Sequence, residues 1–283
     1  MTTIDDFESL FRHAEKPRFR YVPAQVSSVL VVTDLDQAGT DNFMPAVVEF
    51  LDAAGISSDP QWHRLTGTQF SSVRDVLDCV ERIKPELVIT YRNLHAPLAD
   101  FPFSLGVYLD VLSQTIDCPI LVVPSPHRKA ELPPAPQRVL ALTDHLTGDD
   151  RLTNMSVGMT APGGRLILAH VEDQRTFARY MAAIEKIPGI DTDFARQTIL
   201  DQLLTEPHEY IESVREQLAA AGVSIDIEEE IVLGRSVVDY KKIAEGRNAH
   251  LLILNAKDED QLAMRGLTHS LCVELRDTPI LLL

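Results

Sequence analysis

Unbroken apolar runs punctuate this chain: Val29-Leu-Val-Val-Thr, Leu87-Val-Ile-Thr, Val139-Leu-Ala-Leu-Thr, Arg165-Leu-Ile-Leu-Ala-His-Val, His250-Leu-Leu-Ile-Leu and the closing Thr278-Pro-Ile-Leu-Leu-Leu. A run without polar alternation predicts a strand covered on both faces, as in a parallel sheet. A short strand is expected at Trp62 to Leu65, ending at Gly67, and a further strand at Ser224 to Val232, ending at Gly234. Between them apolar residues recur at helical spacing. Phe43, Val47, Phe50 and Leu51 predict a helix from Phe43 to Ala54 that Gly55 stops. Val73, Val76, Leu77, Val80 and Ile83 predict another, capped by Ser71 or Ser72 and ended by Pro85. Further helices are expected near 150–160 and at Val237 to Gly246. The long stretch from Arg175 to Ala221 reads as helical, with breaks at Pro188-Gly and at Pro207.

The order of these elements repeats. From His250 to Leu283 the chain reads strand, polar loop, Gly-led helix, closing strand, and the same order runs from Glu86 to Val123. Gly106 stands as far before Val123 as Gly266 stands before Leu283. Val139 to Asp144 likewise parallels Val29 to Asp34. Pro124 to Pro136 is Pro-rich, which favours a stiff extended linker. The expected organisation is an N-terminal arm over 1–27, holding a short helix from Asp5 to Ala14, then a first unit over 28–123. A linker over 124–137 and a second unit over 138–283 follow. Alternating strands and helices imply right-handed parallel crossovers, so the fold class is α/β, two tandem open parallel-sheet sandwiches. The first unit is shorter by about one βα unit, because it shows no counterpart of the strand at Arg165 to Val171.

Composition narrows the function classes. The 283 residues are 45% hydrophobic and 24% charged, as in ordinary globular proteins. No apolar run approaches the roughly 18 residues that span a bilayer, and the N-terminus lacks the regions of a secretory signal. Three single cysteines, Cys79, Cys118 and Cys272, have no metal-type spacing and suggest reduced thiols in a cytoplasmic protein. The net charge of -16 is spread over both halves and disfavours nucleic acid and anionic membranes.

The ordered motifs resemble the universal stress protein family. The resemblance rests on the strands ending at Asp34 and Asp144, the strand tail Ala169-His-Val171, Gly67 and Gly234, the helices opened by Gly106 and Gly266, and the Cys/Thr-Pro-Ile-Leu closing strands. It covers about 28–123 and 138–283, and it implies an α/β fold of the adenine nucleotide alpha hydrolase type with an adenine-nucleotide pocket in nucleotide-binding members. It assigns Asp144, Val171, Gly234 and Gly266 to a cofactor-binding pocket in the second unit. In the family's ATP binders a loop carries two Gly, then a third Gly followed by Ser or Thr. Here Tyr91 and Leu94 replace the first two in one copy and Asn255 and Asp258 in the other, while Val107 and Leu267 replace the hydroxyl residue. Lys257 to Asp260 would set three carboxylates against a phosphate, each repelling it by roughly 1–4 kcal/mol.

The expectation is therefore a stress-response or regulatory module that does not bind ATP in the ordinary way, with no cofactor. A nucleotide- or small-ligand-binding regulator using an altered second pocket is the alternative, and weak ATPase activity is the runner-up among enzymes. Asp144 either faces that ligand or caps a turn, and the same Asp at position 34 favours the structural role. His145, Asp149 and Asp150 have no metal-ligand spacing, and His170 reads as a structural histidine. No catalytic constellation is visible. The apolar closing strands would be sheet edges, so they are expected to meet each other in an intramolecular pseudo-dimer or to form a homodimer. Protein partners are expected, nucleic acid and membrane insertion are not. The excursion over 175–206 is either a lid or a dimer arm.

Overall fold

In a computed structural model the described residues are 17–56, 59–96, 103–128, 130–143, 145–234, 236–257 and 266–283. In chain order they form β1 (Ser28–Val32), α1 (Gln37–Ala54), β2 (Gln61–Leu65), α2 (Val73–Ile83), β3 (Leu87–Thr90), α3 (Val107–Thr115) and β4 (Ile120–Val122). After the Pro-rich segment come β5 (Arg138–Thr143), α4 (Asp150–Gly158), β6 (Arg165–Asp173), α5 (Gln174–Ile184), α6 (Thr192–Ala220), β7 (Asp226–Gly234), α7 (Ser236–Gly246), β8 (Leu251–Leu254), α8 (Gly266–Glu274) and β9 (Ile280–Leu282).

All nine strands join one sheet in the order β2-β1-β3-β4-β9-β8-β5-β6-β7. Every pairing is parallel except the central one, where β4 meets β9 antiparallel with Leu121 opposite Leu281 and Ile120 opposite Leu282. The two closing strands thus pair with each other, and each half's parallel sheet continues into the other's. Their side chains are almost fully buried, as are those of β1, β3 and β8. Such doubly covered strands account for the unbroken apolar runs.

The shortening of the first half lies at the sheet edge. A right-handed crossover through α1 lays β2 directly beside β1, in the position that β6 holds beside β5. The first half therefore lacks a counterpart of β7, not of β6. Gly67 and Gly234 consequently close strands in different places, which corrects their expected equivalence.

Three boundaries also differ from the sequence pattern. Helix α1 starts at Gln37, because Asp36 accepts a hydrogen bond from the Gly39 N–H at 2.8 Å and caps it. Its first turn carries no large apolar side chain, its buried position being Thr40, so hydrophobic periodicity did not reveal it. Strand β6 runs on to Asp173, since its partner β7 extends to Gly234 in register. Helix α6 passes through Pro207 without a break. A proline removes one helical hydrogen bond, but Pro207 is buried, as are Tyr210, Ile211 and Val214 in the turns that follow it. The break at Pro188-Gly189 is real and separates α5 from α6.

The nine-residue edge strand β7 is screened by ion pairs on both faces. Glu229 meets His208 and Arg215 of α6, whereas Glu228 and Glu230 meet Arg247 just after α7. Charge of this kind deters pairing at an exposed edge. Residues 17–27 cross from the second half to β1 alongside α4. The Phe19 N–H donates to Ser213 Oγ at 2.9 Å, Val22 N–H donates to Asn154 Oδ1 at 2.9 Å, and Arg18 pairs with Glu216.

Candidate functional site

In an open parallel sheet, ligands sit at the carboxyl ends of the strands, so the residues after β1, β3, β5 and β8 matter most. In the first half that position is filled by the protein itself. The Tyr91 hydroxyl donates to Asp34 Oδ1 and accepts the Asp34 N–H at 3.1 Å. The His95 N–H donates to Asp34 Oδ2 at 3.0 Å, and His127, in the Pro-rich segment, places Nε2 3.1 Å from Oδ1. The Tyr91 ring is fully buried and meets Phe43 edge-on. Burial pushes the Asp34 carboxyl up, but hydrogen bonds from Tyr91, His127 and the His95 N–H outweigh it and hold it below the usual carboxylate value. Burial, then the Asp34 carboxylate, push the Tyr91 hydroxyl well above its ordinary range.

Close backbone contacts lock this arrangement. A Cβ on Gly67 would lie 2.3 Å from the Asp34 carbonyl oxygen. Gly106 caps α3 with φ +86°, and a Cβ there would lie 2.7 Å from Asn93 Cα. The Asn93 N–H in turn donates to the Leu105 carbonyl at 2.9 Å. Leu94 is buried as well. Tyr91 and Leu94, standing at the positions of the family's first two loop glycines, are therefore core residues here.

In the second half, Val171 and Gly234 come together. Val171 is fully buried, and a Cβ on Gly234 would lie 3.2 Å from Val171 Cγ1 and 2.5 Å from Asp239 Oδ2. Gly266 opens α8 at the surface, and no atom of the described residues lies within 4 Å of where its Cβ would be. Among the described residues nothing there requires glycine in the way that Gly106 is required. Asp144 and residues 258–265, which include the acidic Asp258 to Asp260, lie outside the described residues. Asn255, at the other family glycine position, donates through Nδ2 to Asp149 Oδ2 at 2.6 Å, and its carbonyl accepts from Thr268 Oγ1 at 2.8 Å. Asp149 also caps α4 by accepting the Leu152 N–H at 3.0 Å. His145 is exposed. His170 is buried with Nε2 3.4 Å from Glu172 Oε2, and its Nδ1 has no hydrogen-bond partner among the described residues.

Among the described residues His208, Glu212 and Glu229 are spaced as metal ligands could be, but all three are exposed. Arg215 bonds both carboxylates, so a side-chain cation already holds the place of an ion.

The cations nearest the two strand ends serve the seam. Arg92 Nη2 donates to the Leu275 carbonyl, immediately after α8, at 2.9 Å. Lys257 Nζ donates to the Ile116 carbonyl, the C-cap of α3, at 3.3 Å. Each half thus sends a cation to the carboxyl end of the other half's last helix, where the helix dipole favours positive charge. Arg92 is buried, and burial lowers its guanidinium to about 10. Arg128 adds a third tie to Asp277 at 2.8 Å. The sequence pattern placed Lys257 near a phosphate, and it gave no signal for Arg92 or for His127 reaching Asp34. An arginine two positions after the apolar run ending at Thr90 was legible, but its burial was not.

Among the described residues no helix is long and apolar enough to cross a membrane. No family model matches the chain, and no curated protein matches it. Solved structures do. A universal stress protein from Archaeoglobus fulgidus DSM 4304 is 13% identical over 90% of this chain and 96% of that one, with a TM-score of 0.48. A putative universal stress protein from Pseudomonas aeruginosa UCBPP-PA14 is 16% identical over 91% and 93%, with a TM-score of 0.46. A functionally unknown protein from Pseudomonas aeruginosa PAO1 is 16% identical over 91% and 92%, with a TM-score of 0.45. By these comparisons the chain is similar in structure to universal stress proteins over most of its length.

Proposed function

We propose that this chain is a universal stress-type regulatory module that works by binding partners rather than by catalysis, and that it does not bind ATP in the ordinary way. The observation that carries this reading is Tyr91. Its buried ring and its hydrogen bonds to Asp34 occupy the strand-end position where a nucleotide would need an open, glycine-lined loop. In the second half, Asn255 is tied to Asp149 and Lys257 to the Ile116 carbonyl, so both strand-end polar side chains are engaged within the protein. No cofactor is part of the proposal. Isothermal calorimetry with ATP, ADP, AMP and cyclic nucleotides is the test. The expected result is no heat of binding at micromolar concentrations. Saturable micromolar binding that is lost on Gly234→Val would instead assign a nucleotide to the pocket beside Val171.

A further inference from the structure

Strand β2 is the outer strand of the first half, and among the described residues no strand lies on its side away from β1. The Gln61 N–H donates to the Ser27 carbonyl at 2.8 Å, and the Leu65 carbonyl accepts from the Thr33 N–H at 3.0 Å. Alternate residues from Gln61 to Leu65 thus bond inward, and the backbone N–H and C=O groups of Trp62 and Arg64 point outward. At the other end of the sheet, Glu228, Glu229 and Glu230 of β7 are all held in ion pairs. Strand β2 has one such pair, Arg64 with Asp41 at 2.7 Å. An edge guarded so lightly is a template for pairing with another chain.

Helix α1 runs along this edge. Its Asp41, Pro45, Val48, Glu49 and Asp52 recur at helical spacing and, with Trp62, line a groove of about 830 Å³. The groove is open to solvent, whereas small-molecule pockets bury most of their ligand, so it suits a chain segment. Trp62 and Arg64, whose backbone groups point outward, also turn their side chains to this groove. A strand laid beside β2 would send every second side chain into it. Charge then selects the occupant. Arg64 already holds Asp41, but Glu49 and Asp52 are exposed and form no ion pair among the described residues. A second copy would bring the same carboxylates and a net charge of -16 to the same edge, whereas a basic segment complements them.

We infer that the outer edge of β2 takes an extended segment of a partner protein as an added strand, with Lys or Arg side chains reaching Glu49 and Asp52 and apolar ones meeting Val48 and Trp62. Partner binding at β2 rests on the function proposed above only for its class of ligand, and nucleotide binding in calorimetry would refute that function without bearing on this edge. The probe is the nonapeptide Lys-Thr-Val-Thr-Lys-Thr-Val-Thr-Lys, read by the emission of Trp62, the single tryptophan. On the full-length chain it should change that emission saturably, and Glu49→Lys/Asp52→Lys should weaken its binding about tenfold. The same peptide with Glu in place of Lys should not bind. N-methylation of alternate peptide amides should abolish binding in one frame and spare it in the other, because only one set faces β2. No saturable change in Trp62 emission overturns the inference. So does equal binding of the Glu peptide or of the two N-methylated frames. A dimer by light scattering that the peptide dissociates would give the edge to a second copy and overturn it as well.

Discussion

Leu121 and Leu281 face each other across the one antiparallel step of the sheet, and both are fully buried. Directly opposed residues in an antiparallel pair hold their Cβ atoms about 4.5–5.5 Å apart, so the two leucines share one packing site. Truncating either to Ala removes buried methyl groups and leaves a cavity, at a cost of about 2–5 kcal/mol. For a chain of this size that lowers the melting temperature by roughly 3–8 °C. The double variant should cost less than the sum of the singles by about 0.5–3 kcal/mol, because the second truncation enlarges an existing cavity. Urea unfolding measures this with two probes. Trp62 is the single tryptophan and sits in β2, at the first half's outer edge, so its fluorescence reports that half, while far-UV circular dichroism reports all helices. Leu281→Lys would bury an unpaired charge in the seam and should split the two transitions. Strictly additive truncations, or coincident transitions in Leu281→Lys with stability within about 1 kcal/mol of the parent, would refute the view that the seam couples the halves.

The two helix-opening glycines should behave differently. Gly106→Ala forces a Cβ against Asn93 at a positive φ and should cost more than about 1 kcal/mol, read from the urea midpoint, whereas Gly266→Ala should leave stability within about 0.5 kcal/mol. The Asp34 carboxyl titrates below its value in the unfolded chain, so it contributes stability that is full above about pH 3.8 and is lost as pH falls through the depressed folded value. Asp34→Asn should flatten the acid side of the stability–pH curve, and a curve that keeps the parent's slope there would count against the Tyr91–Asp34–His127 cluster as its source.

Where burial decided the structure, the sequence was informative. Val29, Leu87, Val139 and Leu251 each open an apolar run that became a doubly covered strand, and the common spacing of Gly106 and Gly266 revealed the repeat. The errors came from positions governed by hydrogen bonds or by sheet order. The first turns of α1 are polar, so only the Asp36 cap defines where it starts. Pro207 looked like a break because the chain pattern does not show which face of a helix is held by packing. Gly67 and Gly234 looked equivalent because both end a strand before a helix, yet strand order puts Gly67 after the strand next to β1 and Gly234 at the end of a strand two places away from β5. The site was less legible still. That Tyr91 and Leu94 replace glycines was plain, but their burial, and the use of Arg92 and Lys257 at opposite helix ends, depend on contacts between residues remote in sequence.

The antiparallel step between β4 and β9 also sets the order of assembly. Strand β4 is complete by Val122, but its outer neighbour is the last strand in the sequence, with the whole second half between them. Pairing across so long a separation raises the contact order and comes late in folding. Until then, the hydrogen-bonding edge of Ile120–Val122 stands open and apolar. At high concentration it offers β9 of another chain the same register as its own, so strand exchange between molecules is the characteristic route by which this fold can misassemble.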